Sequence, residues 1–111
     1  MPQINDISVL SKLTNLKELH MPDNKISDIS ALKGLTNLTM LGLEANQISD
    51  ISVLGELTNL TLIYLVGNQV KDVTALSRLT NLNRLALEAN PLSTAQVTAL
   101  RNALPNCHIT H

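Results

Sequence analysis

The chain has 111 residues, enough for one domain built around one continuous core. A formal net charge of −1 gives nucleic acid and anionic membranes no electrostatic reason to bind, and no run of 18 apolar residues is present to form a membrane-crossing helix. Hydrophobic residues make up 44% of the chain, yet Tyr64 is the sole aromatic, so the core must come from Leu, Ile, Val and Ala. That bias suits stacked layers in which one side-chain size repeats along a column.

Residues 1–12 open the chain without a basic start or an apolar run, so no signal peptide is expected. Ile4, Asp6, Ile7 and Leu10 match Ile26, Asp28, Ile29 and Leu32 further on. The chain therefore enters partway through a repeating unit, on its return segment, with no strand before it. The expectation is an apolar edge of Ile4, Ile7, Leu10 and Leu13, partly exposed and open to self-association.

Three complete units follow, 13–34, 35–56 and 57–78. The triplet Leu-Thr-Asn begins at Leu13, Leu35, Leu57 and Leu79, each 22 residues after the last. Apolar residues recur in register: Leu16, Leu19, Met21, Ile26 and Ile29 in the first unit, then Leu38, Leu41, Leu43, Ile48 and Ile51 in the second. The x-L-x-L-x segment alternates with period two, which predicts a short strand with leucines inward and neighbours outward. One unit cannot bury its own leucines, so adjacent units must do it. Asn24, Asn46, Asn68 and Asn90 recur where the chain turns off the strand. They are expected to satisfy backbone groups left unpaired by the turn. Asp6, Asp28, Asp50 and Asp72 recur before an apolar residue and Ser or Thr, as side-chain-capped turns or single 3₁₀ turns would require. With no second carboxylate beside each, the oxygen ligands that calcium needs are missing.

The last unit, 79–111, departs from the pattern. Ser93, with Gln96 three residues on, predicts a capping box opening a helix over about 94–104, with Val97, Leu100 and Leu104 on one face and Pro105 ending it. Leu104, Cys107 and Ile109 match Leu82, Leu85 and Leu87 at the 22-residue spacing, which predicts a final strand and places Cys107 at a buried leucine site.

Enzyme motifs are absent: there is no G-x-G-x-x-G, P-loop, G-x-S-x-G, C-x-x-C or H-E-x-x-H. His20 and His108 fall in one outward column at the 22-residue spacing. They would stand about 20 Å apart across the intervening strands, too far to share a metal. His108 and His111 alone make a weak site, so neither a metal nor a cofactor is expected. The outward positions vary from unit to unit. One column is expected to hold Glu18, Met40, Leu62, Arg84 and Asn106, the next His20, Gly42, Tyr64, Ala86 and His108, and the third Pro22, Glu44, Val66, Glu88 and Thr110. Met40, Leu62, Tyr64 and Val66 form an apolar island, rimmed by Glu18, His20, Glu44, Arg84 and Glu88. That is the anatomy of a protein-binding surface.

The segment L-x-x-L-x-L-x-x-N is the leucine-rich-repeat signature. Stretches such as Leu57-Thr58-Asn59-Leu60-Thr61 and Asn46-Gln47-Ile48-Ser49-Asp50-Ile51 resemble the internalin-like, 22-residue leucine-rich repeats of bacteria over nearly the whole chain. The resemblance implies an α/β, right-handed, curved solenoid with short parallel strands on the concave face, 3₁₀ turns on the convex side and a C-terminal capping helix. It also implies a non-catalytic module that binds a protein partner on the concave face. Near-copies such as Leu43-Glu44-Ala45-Asn46 and Leu87-Glu88-Ala89-Asn90 suggest recent duplication or deliberate design, so the alternative is a structural or engineered scaffold that self-associates through its N-terminal edge. Partner, source and cellular compartment stay open.

Overall fold

The computed structural model describes residues 3–111. Five strands lie in one parallel sheet in chain order: β1 Glu18–His20, β2 Met40–Gly42, β3 Leu62–Tyr64, β4 Arg84–Ala86 and β5 His108–Thr110. Each strand is three residues long with its middle residue inward, so Leu19, Leu41, Ile63, Leu85 and Ile109 form one buried column. Behind the sheet, 3₁₀ turns at Ser8–Lys12, Ser30–Leu32, Ser52–Glu56 and Thr74–Arg78 stack layer upon layer, and the helix α1, Thr94–Ala103, closes the stack. Parallel strands sit about 4.8 Å apart, and the turns behind them are bulkier, so the sheet takes the inner side of the curve. The molecule is an α/β solenoid of leucine-rich-repeat architecture.

Core packing follows the repeat. Ile26, Leu32, Leu35, Leu38, Leu41 and Leu43 are fully enclosed, as are their counterparts one layer on. Each layer is roofed by the next, and a fully buried Leu is worth roughly 1.5–3 kcal/mol.

The asparagine column supplies the polar half of the frame. Asn46 Oδ1 accepts from Ile26 N–H at 3.0 Å, while its Nδ2 donates to the carbonyls of Met21 and Leu43, each at 3.0 Å. Asn68 repeats this one layer on, accepting from Ile48 N–H and donating to the Leu43 and Leu65 carbonyls. Each amide thus fastens its own turn to the layer before it.

The aspartates cap the 3₁₀ turns. Oδ1 of Asp6, Asp28, Asp50 and Asp72 accepts from the backbone N–H of Ser8, Ser30, Ser52 and Thr74 at 2.8–2.9 Å. The backbone N–H, then the serine hydroxyl, holds Asp6, Asp28 and Asp50 below the ordinary carboxylate pKa; at Asp72 the Thr74 hydroxyl is the larger influence.

Three expectations need correction. First, Ile7 is only 3% exposed and belongs to the core, because its layer packs on the turn at Ser30–Leu32. The exposed apolar side chains of the N-terminal layer are Ile4, Val9 and Leu13, with Leu10 half-buried. Second, β5 pairs with β4 at a spacing of 24 residues, Arg84 opposite His108 and Ala86 opposite Thr110. A helix rises 1.5 Å per residue against about 2.0 Å for a 3₁₀ turn, so α1 uses more chain to cover the return path. His108 therefore joins the Glu18 column, away from His20, and Cys107 is half-buried beside the core instead of filling a leucine site. Burial pushes its thiol pKa up. Third, only half of the capping box forms. Ser93 Oγ accepts from Gln96 N–H, but Gln96 Oε1 reaches across to Val73 N–H at 3.0 Å and ties the helix to the fourth layer.

Candidate protein-binding face

The outward side chains of the sheet are set by strand pairing. One column reads Glu18, Met40, Leu62, Arg84, His108 and the next His20, Gly42, Tyr64, Ala86, Thr110. The ladder continues past the strands: Asp23 N–H donates to Glu44 O, Ala45 N–H to Val66 O and Gly67 N–H to Glu88 O. Pro22, Glu44, Val66 and Glu88 consequently form a third column. No other layer covers these columns among the described residues.

The structure brings Met40, Leu62, Tyr64 and Val66 together on β2 and β3 and the turn beyond them, and all four are half-buried by one another and their neighbours. Glu18, His20, Arg84 and Glu88 stand exposed around them, and Glu44 is half-buried. Two rim groups have partners within the chain. Glu88 Oε1 accepts from Thr110 Oγ1 at 2.9 Å, and His20 Nε2 lies 2.8 Å from Met40 Sδ.

Sequence reasoning missed one feature of this face. Gly42 is buried, and the His20 and Glu44 side chains fold over it: a Cβ there would lie 2.8 Å from His20 Nδ1 and 3.0 Å from Glu44 Oε1. Its signal was a glycine at an outward strand position where neither a turn nor a positive φ calls for one.

The opposite side offers less. An open groove there, about 850 Å³, is lined by Asp50, Gln69, Lys71, Asp72 and Arg78 among others. The two carboxylates are already engaged by their own turns. No three His, Cys, Asp or Glu side chains converge to hold a metal among the described residues, and no described helix is long and apolar enough to cross a membrane.

Comparison with known proteins agrees with the architecture. The family model for leucine-rich repeats in two copies matches residues 14–56. These are leucine-rich repeats, and proteins built from them generally mediate contacts between proteins. More narrowly, the repeats are similar to those of bacterial internalins. An internalin (inlF) of Listeria monocytogenes superposes with a TM-score of 0.91 at 36% identity over 98% of this chain, and internalin C2 of the same organism with 0.91 at 35% over 98%. A leucine-rich-repeat protein of Leptospira interrogans gives 0.90 at 32% over 98%. The chain spans 34%, 47% and 29% of those three proteins. No curated protein matches it significantly in sequence.

Proposed function

We propose that the chain is a non-catalytic protein-interaction module that holds its partner on the concave strand face and needs no cofactor. One observation carries this reading: Met40, Leu62, Tyr64 and Val66 lie side by side at the centre of a sheet face that no other element covers among the described residues. Tyr64 supplies a rigid aromatic anchor, and Glu18, His20, Glu44, Arg84 and Glu88 supply the polar rim that would set orientation. Five strands at about 4.8 Å span roughly 20 Å, a footprint suited to a modest contact or to one part of a larger one. A photo-crosslinking residue at His108, exposed on the same face, tests the reading. A protein captured by the parent should be lost with Leu62→Asp and with Tyr64→Ala, while both variants keep the parent melting temperature. Equal capture by well-folded variants would sink it.

A second reading has its own support. Ile4, Val9 and Leu13 are the large hydrophobic residues that stand clearly exposed among the described ones, and all lie in the N-terminal layer. Self-association through that layer, with Leu10 partly buried beside it, would cover them. Sedimentation velocity over a wide concentration range should then show dimer, and Val9→Asp should abolish it. A monomer throughout the range removes this reading.

A further inference from the structure

The sheet begins at β1, and the outer edge of that strand is unpaired among the described residues. Met21 N–H donates to Gly42 O, Asp23 N–H to Glu44 O, and Lys17 O accepts from Thr39 N–H, so the odd-numbered residues turn their backbone groups toward β2. Alternation along the strand then turns the N–H and C=O of Glu18 and His20 to the open side. Asn24 is incomplete on that side too. Asn46, Asn68 and Asn90 each donate to a carbonyl of the preceding layer, those of Met21, Leu43 and Leu65, while Asn24 Nδ2 reaches only Met21 O and Pro22 O of its own turn. Ile4, Val9 and Leu13 stand exposed in the same layer.

A second copy of the chain fits this edge in one register. An edge that pairs with itself about a two-fold axis runs antiparallel, and the axis can pass through Glu18, Leu19 or His20. Through Glu18, it sets carboxylate opposite carboxylate. Through His20, it sets imidazole opposite imidazole and Glu18 opposite Pro22, which has no N–H to give. Through Leu19, it sets Glu18 of each copy opposite His20 of the other, and each such pair exchanges two backbone hydrogen bonds. The His20 ring gives up little in turning to that carboxylate, since its one side-chain polar contact is with Met40 Sδ, a weak acceptor. The same axis, normal to the sheet, carries the two flanks of a layer into each other. Leu13 lies on the flank leading into β1, and Ile4, whose carbonyl accepts from Lys25 N–H, on the flank leading away. Leu13 of one copy therefore meets Ile4 of the other, and Val9, in the turn Ser8–Lys12 behind the sheet, meets Val9. The far end of the stack offers no such match, because Leu100, Leu104 and Ile109 are buried there.

We propose that two copies of the chain pair β1 with β1, antiparallel about a two-fold axis through Leu19, and join their sheets into one. This rests on the self-association reading above and names the contact that carries it. Met40, Leu62, Tyr64 and Val66 lie on β2, β3 and the turn beyond, clear of the new contact. The pair thus presents two apolar patches on the same side of one continuous sheet.

Sedimentation velocity on two charge-reversed variants tests the register, with each variant checked by its thermal melt. Glu18→Lys and His20→Glu, each alone, set like charges opposite one another twice and should dimerise roughly tenfold more weakly than the parent. Mixed in equal amounts they should recover the parent affinity, because the new lysine of one copy then faces the new glutamate of the other. Hydrogen exchange on the unmodified chain is the readout if either variant melts early: the Glu18 and His20 amides should slow as dimer forms. A parent dimer whose Glu18 and His20 amides stay unprotected, or folded variants that gain nothing on mixing, would overturn the strand pairing and leave self-association standing. If the parent is monomeric over the whole concentration range, both fall, and the edge is open to a different partner.

Discussion

Asp23, Ala45, Gly67 and Ala89 hold one position in four successive layers, and all four backbones are left-handed, with φ between 55° and 74°. The turn off each strand demands that conformation, which costs an L-residue about 1–2 kcal/mol and glycine almost nothing. A Cβ at Gly67 would meet Ala45 backbone atoms at 3.6 Å, an ordinary contact. Gly67→Ala should therefore lose about 1 kcal/mol from conformation alone, and Ala45→Gly should shift stability the other way. Urea midpoints measure both, and unchanged midpoints would mean the turns relax. The asparagine beside this turn has more at stake. Asn46→Ala strands the buried Ile26 N–H and removes one of the two donors to the Leu43 carbonyl, which Asn68 still serves, so a loss of about 2 kcal/mol is expected. Asn24→Ala should cost less, because the N–H that Asn24 serves belongs to exposed Ile4. Equal losses at the two sites would show that burial is not what gives the ladder its value.

At the scale of elements, the stacked aspartate caps make acid stability predictable in sign. Each folded-state pKa lies below the ordinary value, so the folded chain binds fewer protons than the unfolded chain in that range. The stabilisation is present above the usual carboxylate pKa of about 4 and is lost as pH falls through the lower folded values. Like charges one layer away oppose this slightly, Asp28 and Asp72 acting on Asp50. Melting temperature should fall between pH 4 and pH 2, and Asp50→Asn should flatten part of that fall; an unchanged slope would remove Asp50 as a cause. These caps, the asparagine ladder and the strands were legible in the sequence because each depends on spacing alone. Where the return path changes from a 3₁₀ turn to α1, spacing stops counting layers, and β5 is displaced by two residues from the simple repeat. Ile7 was misjudged for a different reason: a single neighbouring layer suffices to bury it. The strand-face columns could be read in advance for β1–β4, but the convergence of His20 and Glu44 over Gly42 depends on side-chain conformation, which no periodicity encodes.

For the whole molecule, stability is carried by nearest-neighbour layers, so it should be graded along the stack. Central layers are roofed on both sides, with Leu41 and Ile63 fully enclosed, whereas Leu19 is 8% exposed and Leu13 and Leu16 are open or half-buried. The ladder amides of Met21, Leu43, Leu65 and Leu87 report the same kind of hydrogen bond in four successive layers, at 2.8–2.9 Å each. Their geometry is nearly identical, so differences in hydrogen exchange measure how often each layer opens. Leu43 and Leu65 should exchange most slowly. Met21 should exchange fastest, because opening the N-terminal layer exposes little apolar surface that is not already exposed. Leu87 should fall between, shielded on its outer side by β5 and α1. Concentration then separates two origins of any protection at Met21. If the N-terminal layer self-associates through Ile4, Val9 and Leu13, protection at Met21 rises with protein concentration while that at Leu65 stays constant. If Met21 is as protected as Leu65 at every concentration, the solenoid opens as one unit, and an independently weak N-terminal layer is ruled out.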